Sequence, residues 1–170
     1  MTTHKAEVRI DAPKEAVWEA LADFSGVWKY NPSVESSHSL TTRDRGVGAE
    51  RRCELTFGGA AVEERIVDWN PAGHYTVEIF GGDRMPPIRR TKARLGVRAD
   101  GDGSIVTGAM TYETKLGPIG ALMNRLVIRK KFGGAFSGMF AGLKHHVETG
   151  ETVGEDTKLA YDAVTYAATT

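Results

Sequence analysis

A chain of 170 residues, 41% hydrophobic and 26% charged, has the size and balance of one globular domain with one buried core. Its 22 Lys and Arg cancel 22 Asp and Glu, and the composition excludes disorder, collagen and coiled coil as the main architecture. The single cysteine, Cys53, excludes an internal disulfide and a Cys-based zinc site, so apolar packing must hold the fold and a reducing, cytoplasmic location is expected.

No apolar run nears the ~20 residues that cross a bilayer, and the N-terminal segment has no signal core, so a soluble, unprocessed chain is expected. Ala6, Val8 and Ile10 alternate with Glu7, Arg9 and Asp11, which predicts a first strand. Asp11 or Ala12 is placed to cap a helix with Pro13 in its first turn, and Val17, Trp18, Leu21 and Phe24 form its apolar stripe. A second short helix is expected over 25–30, ended by Asn31-Pro32.

From Ser33 to Leu116 glycine-rich turns separate six more strands, expected at 33–41, 48–57, 60–69, 74–81, 88–99 and 103–115 as an antiparallel meander. Helical spacing then returns in two stripes, Ile119, Leu122, Met123, Leu126 and Val127, followed by Phe132, Phe136, Met139, Phe140, Leu143 and Val147. They are about a quarter turn out of phase, which predicts a bend or break near Gly133-Gly134. Residues 1–150 make the domain; 151–170 read as a mobile or partner-docked tail, with Leu159, Tyr161, Val164 and Tyr166 as docking candidates.

The order of these elements resembles the START-like helix-grip superfamily, and the sequence is similar to its polyketide cyclase/dehydrase and lipid-transport branch. The segments that carry the likeness begin with Ile10-Asp11-Ala12-Pro13 and Val17-Trp18-Glu19-Ala20-Leu21-Ala22-Asp23-Phe24, then Trp28-Lys29-Tyr30-Asn31-Pro32. Further along they are Gly46-Val47-Gly48-Ala49-Glu50-Arg51-Arg52-Cys53, Glu63 to Pro71, and Gly142-Leu143-Lys144-His145-His146-Val147-Glu148. The resemblance implies an α+β fold: a seven-stranded curved sheet gripping a long C-terminal helix, with a ligand cavity between them. Members bind or transform many unrelated ligands, so the likeness does not name the chemistry.

On strand 48–57, Cys53 and Leu55 choose the inward face, and alternation then aims Arg51 inward as well. A buried guanidinium needs an anion or acceptors, which leaves an ion pair with Glu64, a tip that escapes to the rim, or an anchor for a ligand carbonyl or anion. Tyr75 and Tyr112 lie on apolar strand faces and are candidates to orient a ligand oxygen, or core phenols bonded to backbone. Trp28, Tyr30 and Asn31 are expected near the cavity mouth, with Cys53, Met110, Met123 and Phe136 as further wall residues. Gly108, between Val106 and Met110, reads as a gap left for ligand or as a bulge.

These residues support a carrier or sensor for a lipid, quinone, polyketide or aromatic molecule. The alternative is a cyclase/dehydrase-type enzyme in which Arg51 stabilises an enolate and Glu64 or His38 moves the proton. No cofactor or metal is expected, because the five histidines form no helical pair at four-residue spacing. The basic clusters around Arg84 to Arg98 and Arg125 to Lys131 read as solvated faces or as a rim for anionic lipid or an acidic carrier protein, helped by an exposed Met85-Pro86-Pro87-Ile88 loop. Nucleic acid is not expected, since no aromatics interleave with them. Oligomeric state is not legible.

Overall fold

Alternation builds the first element: β1, Thr2–Ile10, buries Thr2, His4, Ala6, Val8 and Ile10 and turns the residues between them outward. The structure is a computed structural model describing residues 1–115, 117–154 and 156–169. Leu116, and Glu155 and Thr170 of the expected tail, lie outside the described residues. Helix α1, Lys14–Ala22, buries Val17, Leu21 and Ala22. Asp11 does not cap it; Pro13 occupies the N-cap without a side-chain bond, and the Asp11 backbone N–H instead donates to Glu148 at 2.7 Å. A 3-10 turn, Phe24–Lys29, follows.

Six strands then run as successive antiparallel neighbours: β2, Val34–Ser39; β3, Glu50–Leu55; β4, Ala61–Asn70; β5, His74–Asp83; β6, Ile88–Asp100; and β7, Gly103–Thr114. The helical C-terminal part has three pieces: α2, Gly117–Met123, a π-helical segment, Asn124–Ile128, and α3, Arg129–Thr149. Gly150, at φ 76°, ends α3 in the left-handed conformation that glycine adopts without steric cost.

The register change expected at Gly133-Gly134 falls instead at Asn124–Ile128. One wider turn there absorbs the phase difference. Gly133 continues α3 and is bare for packing, because a Cβ would overlap the Tyr166 hydroxyl. The residues of the first apolar stripe face outward, and Gly120, Asn124 and Ile128 make the buried side of that segment.

Among the described residues the sheet has eight strands, ordered β2-β3-β4-β5-β6-β7-β1-β8. The eighth, β8, Val164–Thr169, comes from the segment expected to be a mobile or partner-docked tail. It pairs antiparallel with β1, Val164 opposite Val8 and Tyr166 opposite Ala6. Period-two spacing of Val164, Tyr166 and Ala168 puts these on the α3 side, where Tyr166 meets Gly133, while Val153 N–H bonds the Lys29 carbonyl at 2.9 Å.

Helix α3 covers one face of this sheet. From Phe136 towards its C-terminal end the contact is tight: Phe136, Phe140 and Leu143 share one core cluster with Ala6, Val8, Leu95 and Val106. Gly108 is neither a bulge nor an open gap. Its pairing with Ala6 and Leu95 is regular, and an added Cβ would sit 2.6 Å from Phe140 Cζ and 3.0 Å from Phe136 Cζ, so the two rings occupy the space. At the N-terminal half of α3 the packing is looser.

Candidate ligand cavity

Between α3 and strands β3 to β7 lies a cavity of about 360 Å3. Its walls are mainly apolar: Leu55, Val62, Val77, Leu95 and Met110 from the sheet, and Phe132, Ala135, Phe136 and Met139 from α3. Alternation along the strands supplies the sheet residues, and small side chains at Ala93 and Ala135 leave the volume unfilled. The half-buried Met85, Pro86 and Pro87, with exposed Phe57, Met123, Val127 and Lys131, rim the opening. The 85–88 loop was expected to be exposed; instead Ile88 is buried and the other three line the cavity.

The polar end is built by β3 and β4, where Arg51 lies directly opposite Glu64. Arg51 Nε and Nη2 donate to Glu64 Oε2 at 2.6 and 2.5 Å, and Nη1 donates to the Phe24 carbonyl at 2.5 Å. The guanidinium stacks on the Phe24 ring, 4.0 Å from its centroid. Burial, the largest single influence, acts to lower the Arg51 pKa, but Glu64 together with the nearby Cys53, Tyr75 and Tyr30 outweighs it and the net shift is upward. The guanidinium is therefore charged and its partners come from the protein, the ion-pair arrangement of the three that the sequence left open.

Behind the pair sit Cys53, Tyr30 and Tyr75. Burial raises Tyr30 well above its ordinary value and pushes Tyr75 up to about 12, so both phenols stay protonated. Neither hydroxyl has a hydrogen-bond partner among the described residues. Tyr75 stacks on Trp69 at 5.8 Å and meets Phe24 edge-on at 6.2 Å, closing that end with aromatic surface. Burial likewise pushes the Cys53 thiol from 9.0 up to about 12, which leaves about a thousandfold fewer thiolates at mildly alkaline pH. Cys53 is therefore expected to react with a disulfide reagent orders of magnitude more slowly in the native protein than after urea unfolding. A thiol-release assay measures the ratio, and comparable rates would mean the cavity admits the reagent and water.

Among the residues singled out in the sequence, Arg51, Cys53, Glu64, Met110, Met123 and Phe136 line the cavity. Tyr30 and Tyr75 form the layer behind it. His38 does not enter: it is exposed on β2, whose alternation sends it away from the interior. Trp28 is exposed and off the wall. Tyr112 belongs to a separate cluster in which it donates to Asn124 Oδ1 at 2.7 Å, Asn124 donates to Thr2 at 2.8 Å, and the buried His4 ring stacks against Tyr112. Among the described residues no three His, Cys, Asp or Glu side chains converge as metal ligands do. Sequence reading missed the wall residues Ala93 and Ala135, for which a small residue on an inward face was the available signal.

The fold recurs in solved structures. A protein from Thermus thermophilus superposes with a TM-score of 0.71 at 22% identity, covering 85% of this chain and 96% of that one. A START superfamily protein from Mycobacterium smegmatis gives 0.68 at 17% identity, covering 87% and 98%, and Ara h 8.0201 gives 0.66 at 19%, covering 86% and 98%. No curated protein matches the chain. The model of the family described as polyketide cyclase / dehydrase and lipid transport matches residues 1–148, and this protein, with its START-like helix-grip fold, belongs to that family.

Proposed function

We propose that the protein holds one neutral, largely apolar small molecule in the cavity between α3 and the sheet, as a carrier or sensor. The observation that carries this reading is an apolar space of about 360 Å3, within the range of small-molecule sites, with one polar end. Arg51 and Glu64 neutralise each other there, which disfavours an anionic ligand. Both Arg51 bonds to Glu64 fall on Oε2, which leaves Oε1 as the acceptor for the ligand, and an acceptor favours a hydroxyl on an aromatic or isoprenoid body.

Two measurements test this. Native mass spectrometry is expected to find a co-purified molecule after mild purification. Titration with the neutral fluorescent probe N-phenylnaphthylamine is expected to report saturable binding, weakened about tenfold or more by Ala93→Phe, since a phenyl group fills the space at a wall position. Unchanged probe affinity in a folded Ala93→Phe protein sinks the proposal. The cyclase/dehydrase-type reading is supported by Arg51 and Glu64 sharing the wall, but each is engaged by the other. It requires Glu64→Gln to abolish turnover of a polyketide-like substrate while that substrate still binds.

A further inference from the structure

We propose that α2 and the π-helical segment form a docking surface for an anionic lipid bilayer. The proposal stands on its own geometry and goes beyond ligand binding in the cavity.

The segment is packed inside out. Its buried stripe is Gly120, Asn124 and Ile128, spaced four residues apart, while Ile119, Leu122 and Leu126 are 67, 58 and 66% exposed. Met123 and Val127 add to the same apolar surface and reach the cavity rim. Asn124 is held against the sheet by Tyr112 and Thr2, so the orientation is anchored by buried hydrogen bonds. Exposed apolar residues this dense on one element call for an apolar surrounding.

Charge selects the partner. From Thr114 to Val147 the chain has no acidic residue, and Lys115, Arg125, Lys130 and Lys131 are all exposed on or beside this segment. A second copy docking through the same patch about a twofold axis would set cations against cations. A helix with leucines on its outer face and Lys and Arg around them suits an anionic bilayer surface, lying at the headgroup boundary with its apolar side ~5–10 Å deep. Among the described residues no helix is long and apolar enough to span a membrane, so the contact is peripheral. The cavity opening borders this patch, which turns it toward the bilayer.

Co-sedimentation of the full chain with vesicles is the test. The protein is expected to bind phosphatidylcholine vesicles containing phosphatidylserine, to bind pure phosphatidylcholine at least about tenfold less, and to be released by salt. Leu122→Gln with Leu126→Gln should lower partitioning about tenfold or more, and Arg125→Gln with Lys130→Gln several-fold. None of these four residues lines the cavity, so N-phenylnaphthylamine binding should persist in both double variants. Lost vesicle binding with intact probe binding supports the surface; lost probe binding with intact vesicle binding sinks only the cavity reading. The proposal is overturned if the wild type ignores anionic vesicles, if the leucine variant binds them equally, if neutral vesicles bind as well, or if ultracentrifugation finds these leucines buried in a dimer or a complex with another protein instead.

Discussion

Replacing Glu64 with leucine is expected to destabilise the protein by about 3–5 kcal/mol, and replacing Arg51 with methionine in the same molecule is expected to recover most of that loss. The reason lies in the geometry of the pair. The Arg51 side chain is 7% exposed and that of Glu64 13%, and three of the Arg51 N–H groups point at Glu64 and the Phe24 carbonyl. Removing the carboxylate leaves a guanidinium that has lost its hydration and its counter-charge. Removing both charges leaves similar volume and apolar neighbours, and continuum arguments and replacement experiments on buried ion pairs place such exchanges near neutral. The Phe24 carbonyl and the ring contact lose a partner, so a residual cost of about 1 kcal/mol is expected. Urea titration of wild type, the two single variants and the double variant gives the coupling energy. A Glu64→Leu protein within about 1 kcal/mol of wild type would mean that cavity water solvates the charge. Probe binding by the double variant adds a functional readout: if it persists unchanged, the pair is structural and does not orient ligand.

Two alanine substitutions in α3 are expected to act in opposite directions. Gly134 is exposed with nothing near its missing Cβ, so Gly134→Ala should stabilise by about 1 kcal/mol through helix propensity alone. Gly142 is buried where α3 crosses the segment after the 3-10 turn, and a Cβ there would overlap the Tyr30 carbonyl oxygen with Pro32 Cδ at 3.4 Å. Backbone cannot step aside as a side-chain tip does, so Gly142→Ala should cost about 3 kcal/mol net, at the upper end for overpacking, with the propensity gain already subtracted. Thermal melting of the two variants beside wild type reads both signs. Two stabilised variants would show that α3 is free to lift from residues 30–32.

Much of the architecture was legible because each strand states its own inward face. Val8 and Ile10, Cys53 and Leu55, and Val77 and Tyr75 alternate with polar residues, and short glycine turns join neighbours into a meander. The same alternation aimed Arg51 inward and named Glu64 as its partner, one strand away. Elsewhere local pattern misled. The stripe from Ile119 to Val127 has helical spacing, but spacing does not distinguish a buried face from an exposed one. Gly108 invites a gap only until the reach of Phe140 from a distant helix is known. Tyr112 carries the same signature as Tyr75, yet Asn124, His4 and Thr2 draw it into a different cluster.

The sequence by itself determined the meander, the long helix that follows it and the inward faces, since these follow from periods of two and 3.6 residues within short windows. Tertiary structure alone decided that the helix withdraws from β3 to β5 to leave a cavity, that Asn124–Ile128 takes the phase shift, that His38 and Trp28 stay outside, and that Val164–Thr169 completes the sheet. Those outcomes depend on distances between elements far apart in the chain and on the volume that side chains fill between them. A period reports which way a residue faces; it carries no information on how far away the opposing surface lies.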